Sequence, residues 1–257
     1  MNFTDNEIQS LLEGIFNGSI TEYAIPESLY FAIADYLKRG VFDGFGSSLS
    51  TVSGNDAELL TALTENIYMF SAAKSYTELK DMSGLLADNR TWSEFYKAAK
   101  DRFDIYNVDY AKTEYRTAVG QAQMAAQWNE IERTKDIIPY LRYSAIMDPN
   151  TSTICAPLDG IVAKVDDPIW DKIAPLNHFN CRCLLTQEYT GTVTDDRDER
   201  ANSVEGQMQD VFKHNSGKDG MIYPKDHPYF DVPAKDKDYA KRNFDMIIPI
   251  DNDSDTQ

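Results

Sequence analysis

The chain has 257 residues, and 25 Lys+Arg against 42 Asp+Glu give a formal net charge of 25 − 42 = −17. A hydrophobic fraction of 42 % is typical of a globular protein, and a chain of this length buries enough surface to fold without disulfides. The negative charge disfavours binding to nucleic-acid phosphates and anionic lipid headgroups, so it excludes a general nucleic-acid coat and a polybasic membrane anchor.

The N-terminal region carries much of this charge. Residues 1–70 contain ten acidic side chains and two basic ones, Lys38 and Arg39, which gives 2 − 10 = −8. The excess predicts solvated helix faces, or an acidic surface that docks on a basic partner. The first ten residues lack the pattern of a signal peptide, and the chain has no run of 18 apolar residues, so we expect neither a secretory leader nor a membrane span.

Helical patterns dominate the first 135 residues. Thr4 with Glu7 and Thr91 with Glu94 have the spacing of capping boxes, and apolar residues recur behind them at intervals of three and four. Glycines and serines over residues 40–48 interrupt this pattern and predict a loop. The predicted helices begin near Thr4, Pro26, Asn55, Thr91 and Asp109, and the last one runs to about Lys135.

The pattern changes after Pro139. Residues 140–147 alternate with the period of two that is typical of a strand, and residues 160–165 and 183–187 are shorter strand candidates. Residues 191–209 are polar and acidic, which indicates a linker or a solvated helix. The sequence therefore predicts an α+β fold, in which a helical N-terminal half is followed by a small β-rich module.

Three cysteines and one of the three histidines lie within 29 residues of this module. Cys155, His178, Cys181 and Cys183 supply the four soft or borderline ligands that a tetrahedral zinc ion prefers. We call this set the His/Cys knuckle, and a structural zinc ion there would pin loops that have little core of their own. The alternative without a cofactor is that buried thiols and a hydrogen-bonded histidine simply pack the module.

A thiol enzyme is a third interpretation of the same residues. Cys155 or Cys181 would act as the nucleophile and His178 as its base, oriented by Asp159 or Asp148. No pattern of an oxyanion hole, a nucleophile elbow or a phosphate-binding loop accompanies these residues, so we predict no catalytic residue.

Arg182 lies between two of the cysteines and, in an extended segment, points away from them. It can pair with Asp148 or Asp159 and hold the two halves of the knuckle together. We assign structural roles to Asp148, Gly160 and Arg182, and we expect the removal of Arg182 to loosen the module.

A spaced pattern runs through the module. Its parts are Leu158-Asp159-Gly160, Asp167-Pro-x-Trp170 and Pro175-x-x-His178-x-x-Cys181-Arg182-Cys183. The pattern resembles the phage Mu F-like family of head morphogenesis proteins, also called minor head or minor capsid proteins. The resemblance covers roughly residues 90–190, and it departs from the family at Phe179, where a proline is common.

The resemblance implies a non-enzymatic protein of low copy number that acts in head morphogenesis and associates with the portal or capsid during procapsid assembly. The implied partners are portal, scaffold or capsid proteins, with no sequence-specific nucleic acid and no membrane. The implied location is the virion, after assembly in the host cytoplasm. The alternative is an enzyme, a thiol hydrolase or a small nuclease or effector, that uses Cys155 and His178.

Composition and resemblance together divide the chain into three parts. Residues 1–88 form an acidic helical region, and residues 89–190 form the Mu F-like module. Residues 191–257 are a polar extension that we expect to pack back on the module and to end in a frayed acidic tail.

Overall fold

Helices α1 to α5 fill the first half of the computed structural model, which describes residues 1–89 and 91–244. Their bounds are Asp5–Phe16 (α1), Glu27–Phe45 (α2), Asn55–Gly84 (α3), Trp92–Asp104 (α4) and Ala111–Thr134 (α5). The helical N-terminal half that the sequence predicts is confirmed. Within the described ranges, no helix combines the length and the apolar character that a membrane crossing needs.

Both predicted capping boxes are present. At the start of α1 the Thr4 amide donates to Glu7 Oε2 at 2.7 Å, and the Glu7 amide donates to Thr4 Oγ1 at 3.3 Å. Thr91 and Glu94 repeat this exchange at the start of α4, at 3.1 and 3.3 Å. Each box satisfies two backbone N–H groups that have no partner inside the helix.

The loop predicted over residues 40–48 is wrong for its first six residues, because α2 continues through two glycines and ends at Phe45. A Cβ on Gly44 would lie 2.1 Å from the Val119 carbonyl oxygen, and a Cβ on Gly40 would lie 3.2 Å from the Tyr115 ring. These glycines therefore allow the backbones of α2 and α5 to approach each other closely.

A π-helical turn, Ile105–Tyr110, joins α4 to α5 where the sequence predicts the start of the last helix. The buried ammonium of Lys74 donates to the Tyr106 carbonyl at 2.8 Å and pairs with the Glu114 carboxylate. Lys74 thus stabilises the π-helical turn from the protein interior. Its buried positive charge is compensated by the Glu114 carboxylate, because an unpaired buried charge would be strongly destabilising.

The module after α5 is built on a three-stranded antiparallel sheet with the order β2-β1-β3. The strands are Tyr140–Ser144 (β1), Val162–Lys164 (β2) and Leu184–Glu188 (β3), and each overlaps a segment predicted as a strand. Tyr143 lies opposite Leu185, and both side chains belong to the core of the module. The α+β fold class is confirmed.

Short helices complete the described chain. They are α6 (Trp170–Ile173), α7 (Arg197–Glu205), α8 (Ser216–Asp219) and α9 (Lys237–Asn243), with 3-10 turns at Leu85–Ala87, Ala156–Leu158, Asp210–Phe212, Pro228–Phe230 and Ala234–Asp236. Helix α7 lies in the polar stretch for which the sequence predicts a linker or a solvated helix.

The chain that follows the module also contacts the N-terminal helices. Tyr223 stacks on Phe70 of α3 with ring centroids 3.7 Å apart. Asp236 accepts hydrogen bonds from the hydroxyl groups of Tyr23 and Tyr76, at 2.6 Å each. Residues 245–257, which include the predicted frayed tail, lie outside the described residues, and the division of the chain into three parts stays a prediction.

The buried carboxyl of Glu78, inside the helical half, should make the stability of the protein depend on pH. Its carboxyl accepts a hydrogen bond from Asn107, and burial raises the pKa of Glu78 to about 8. The folded protein prefers the protonated acid, so the stability that this group contributes is complete below its unfolded pKa of about 4.5 and is lost as the pH rises through 8. We expect Glu78→Gln to raise the free energy of unfolding at about pH 9 by on the order of 2–5 kcal/mol, and to change it little at about pH 5.

Denaturant unfolding at both pH values measures this difference. Glu58→Gln, at an exposed position of the same helix, is the matched control and should leave the pH dependence unchanged. A Glu78→Gln protein whose stability declines with pH as steeply as that of the wild type would contradict the prediction.

The contact between α2 and α5 predicts the effect of a single methyl group. We expect Gly44→Ala to lower the free energy of unfolding by about 1–3 kcal/mol, because the added carbon would overlap the Val119 carbonyl. Gly84→Ala is the matched control, since no described residue outside its own helix turn lies within 4 Å of a Cβ added there, and we expect it to be neutral or slightly stabilising. Thermal or denaturant unfolding compares the two, and equal effects would argue against a tight contact at Gly44.

Candidate metal centre

The fold brings all three cysteines of the chain together. Cys155 precedes the 3-10 turn Ala156–Leu158, and Cys181 and Cys183 precede β3. Their three Sγ atoms lie within 4.8 Å of one another, and Cys155 Sγ lies 3.8 Å from Cys181 Sγ. All three are free thiols, so the cysteines form a cluster without a disulfide.

The turn after Cys155 holds one side of this cluster in place. Gly160 has a φ of +75°, a conformation that favours glycine, and its amide donates to the Tyr143 carbonyl at 2.9 Å. The Asp159 carboxylate accepts from the Ala145 amide at 2.9 Å. These bonds attach the turn to the end of β1.

Arg200 of α7 supports the same turn from outside. Its Nε donates to the Pro157 carbonyl at 2.6 Å, and its guanidinium also donates to the Asp159 carbonyl. Sequence reasoning missed this residue, because one arginine in a polar and acidic helix carries no signal of a contact some forty residues earlier.

His178 lies beside the cluster without completing it. The structure groups the three sulfur atoms alone, so the predicted His/Cys knuckle is supported for its cysteines and not as a set of four. The half-buried His178 does line the same cavity of about 20 Å³ as Cys155 and Cys183. Its Nδ1 lies 2.8 Å from the Phe179 carbonyl, and this carbonyl can only accept, so Nδ1 carries the proton.

The proximity of these groups shifts their acidities. Hydrogen bonds to Cys155 and Cys181 raise the pKa of His178 to about 10. Hydrogen bonds from Cys181 and Cys183 lower the pKa of Cys155, whereas hydrogen bonds to Cys155 and Cys181, together with burial, raise the pKa of Cys183. The lowered pKa of Cys155 favours its thiolate, and a thiolate is the form that binds a metal ion.

Tyr143 contacts Cys155, and the buried Asn177 in turn contacts Tyr143; the sequence analysis assigned neither side chain to the site. The Tyr143 hydroxyl lies 3.4 Å from Cys155 Sγ and accepts a hydrogen bond from Asn177 Nδ2 at 2.8 Å. Tyr143 is fully buried, and its position in β1 was predicted only as a strand residue. Strand alternation shows that a side chain faces the core, but it does not show which group it meets there.

Arg182 pairs with Asp148, one of its two predicted partners. Two guanidinium nitrogens each lie 2.8 Å from one oxygen of the Asp148 carboxylate, and this pair holds the pKa of Asp148 at about 2. The two side chains are 45 % and 32 % exposed, and surface ion pairs contribute little to stability. The pair therefore fixes the relative positions of the segments that contain Asp148 and Arg182, and we expect it to contribute little to the stability of the module.

Comparison with known proteins places this cluster within a recognised region. Over 81 residues, or 32 % of this chain and 16 % of the relative, the chain is 39 % identical to the putative capsid assembly protein F of Escherichia phage Mu. Over 131 residues, or 51 % of this chain and 31 % of the relative, it is 25 % identical to the Mu-like prophage FluMu F protein of Haemophilus influenzae. The chain thus spans less than a third of the length of each relative.

No solved structure matches this chain significantly. The family model described as Phage Mu protein F like protein matches residues 86–186, which include β1, β2, most of β3 and all three cysteines. The match begins and ends within four residues of the boundaries at 90 and 190 that the sequence pattern indicates. The resemblance of this chain to the phage Mu F-like family is therefore confirmed over residues 86–186.

Proposed function

We propose that this chain is a minor head protein that acts in phage head morphogenesis. The observation that carries the proposal is its 39 % identity over 81 residues to a relative named as a putative capsid assembly protein. We infer that the chain associates with the portal or the capsid during procapsid assembly in the host cytoplasm and then resides in the virion.

A non-enzymatic role fits the candidate metal centre better than thiol catalysis does. Cys155 is 1 % exposed, and the cavity that it lines with His178 has a volume of about 20 Å³. That is the space of a single ion or water molecule, whereas a substrate carbonyl would have to reach the sulfur. The geometry therefore favours a structural role for the thiols over a hydrolase, nuclease or effector that uses Cys155 and His178.

The acidic N-terminal helices supply the docking surface in this proposal. Glu27 of α2 and Glu58 and Glu65 of α3 are exposed, and no carboxylate of the three forms a hydrogen bond or ion pair with another described residue. Free surface charges of one sign steer a partner of opposite charge and raise the rate of association. A portal, scaffold or capsid subunit with a basic face is the partner that this surface suits.

Purification from infected cells tests the proposed function directly. We expect the tagged full-length chain to co-purify with portal protein and to be present in procapsids at low copy number. Mass spectrometry of procapsids and of mature virions measures both, and a tagged host protein of similar charge is the control. Absence of the chain from both particles would contradict a role in the head.

Charge neutralisation tests the docking surface. We expect the triple variant Glu27→Gln, Glu58→Gln, Glu65→Gln to slow association with the isolated partner severalfold and to weaken its dependence on salt. The matched control is Asp195→Asn, Glu199→Gln, Glu205→Gln, which makes the same change in net charge at exposed positions near the module. Surface plasmon resonance at two salt concentrations measures the rates. Equal effects of the two triple variants would show that the N-terminal helices are not the docking surface.

A further inference from the structure

We propose that Cys155, Cys181, Cys183 and His178 bind one structural zinc ion. The first support is the separation of the sulfur atoms. Two sulfurs bound to the same tetrahedral zinc, each about 2.3 Å from it, lie about 3.8 Å apart. Cys155 Sγ and Cys181 Sγ lie 3.8 Å apart, and Cys183 Sγ is within 4.8 Å of both. The thiols therefore need little movement to share one ion.

The second support is the state of the histidine. His178 donates Nδ1–H to the Phe179 carbonyl, so in the neutral ring the free lone pair is on Nε2. A histidine that binds zinc through one nitrogen donates from the other to a carbonyl or carboxylate in this way. Because His178 lines the cavity shared by Cys155 and Cys183, it is the residue placed to supply the fourth ligand.

The third support is the set of groups around the sulfurs. The Tyr143 hydroxyl can donate to Cys155 Sγ, and Asn177 Nδ2 donates to the Tyr143 oxygen at 2.8 Å. The Cys155 amide donates a hydrogen bond to Ser152 Oγ at 3.1 Å, and this bond fixes the backbone at Cys155. Such hydrogen bonds orient metal ligands and stabilise the negative charge that bound thiolates carry.

The ligand types select zinc over other metals. Three thiolates and one imidazole disfavour magnesium and calcium, which take oxygen ligands. An iron–sulfur cluster would need more room than a cavity of about 20 Å³ provides. Four protein ligands also leave no open position for a substrate, which is the arrangement of a structural zinc site.

Metal analysis of the full chain, purified without chelators, tests this assignment. We expect inductively coupled plasma mass spectrometry to find about one zinc per chain. We expect Cys155→Ser, Cys183→Ser and His178→Ala each to lose most of the bound zinc or to bind it at least tenfold more weakly. Lys164→Ala is the control, because Lys164 is an exposed residue at the end of β2 in the same module and does not line the cavity of Cys155, Cys183 and His178, and this variant should retain zinc.

A measurement on the wild-type protein keeps the test decisive where a variant fails to fold. We expect the three thiols to react slowly with Ellman's reagent in the folded protein, and to react rapidly once a strong chelator removes the metal. Folded protein that stays free of zinc after incubation with zinc, with thiols whose reactivity a chelator does not change, would overturn the proposal. Stoichiometric iron or copper in place of zinc would overturn the identity of the metal.

Cobalt substitution tests the fourth ligand separately. We expect the Co²⁺-loaded wild type to show the visible absorption of a tetrahedral site together with thiolate-to-cobalt charge transfer. His178→Ala should keep the charge transfer and alter the visible bands. A His178→Ala protein with an unchanged spectrum and unchanged zinc affinity would exclude His178 as a ligand. None of these outcomes depends on particle assembly, so they are distinct from a failure of the proposed function.

Discussion

The structure depends on the burial of one helix, α5, in two hydrophobic cores. Small residues in its first part, Ala118 and Ala122, pack in the core of the N-terminal helices. Larger residues further along, Trp128 and Ile131, pack in the core of the module. Because one continuous helix serves both cores, the acidic helices and the cysteine cluster are mechanically connected, although their sequences differ in composition and in periodicity. A substitution that displaces α5 will therefore disturb the packing of both cores.

The polar groups inside the helical half show how an acidic chain folds without burying unpaired charge. The Lys74 ammonium is fully buried and pairs with Glu114, whose other oxygen accepts from the Tyr229 hydroxyl at 3.1 Å. Tyr223 donates to the Glu114 backbone carbonyl at 2.6 Å, so the C-terminal segment is bound to the same position of α5. The buried Glu114 is paired with Lys74, and the buried Glu78 favours its neutral form. The excess negative charge therefore lies on the surface, where it can attract a basic partner.

Local sequence patterns predicted most helices and strands of this fold, but they did not predict which residues of different elements contact each other. The capping boxes at Thr4 and Thr91 are local exchanges of hydrogen bonds, so the sequence alone is enough to predict them. Gly44 was interpreted as a loop residue, because nothing near it in sequence shows that the backbone of α5 passes over it. The cysteine cluster was predicted from its spacing, whereas Tyr143 and Arg200, which support it, come from a strand and a helix whose patterns report only burial or polarity.

The loop over residues 175–183 links the proposed zinc ion to the junction between the two halves. It supplies three of the four proposed ligands. Leu176 packs over Gly120 of α5, where an added Cβ would lie 2.7 Å from its Cδ1, and the Phe179 ring lies 4.8 Å from that of Phe212. These few apolar contacts must offset the conformational entropy of an irregular segment, and a bound metal would add its binding free energy to them. Zinc would therefore stabilise the contact of the module with α5 and the C-terminal segment, and would leave the acidic surface of α2 and α3 free to dock.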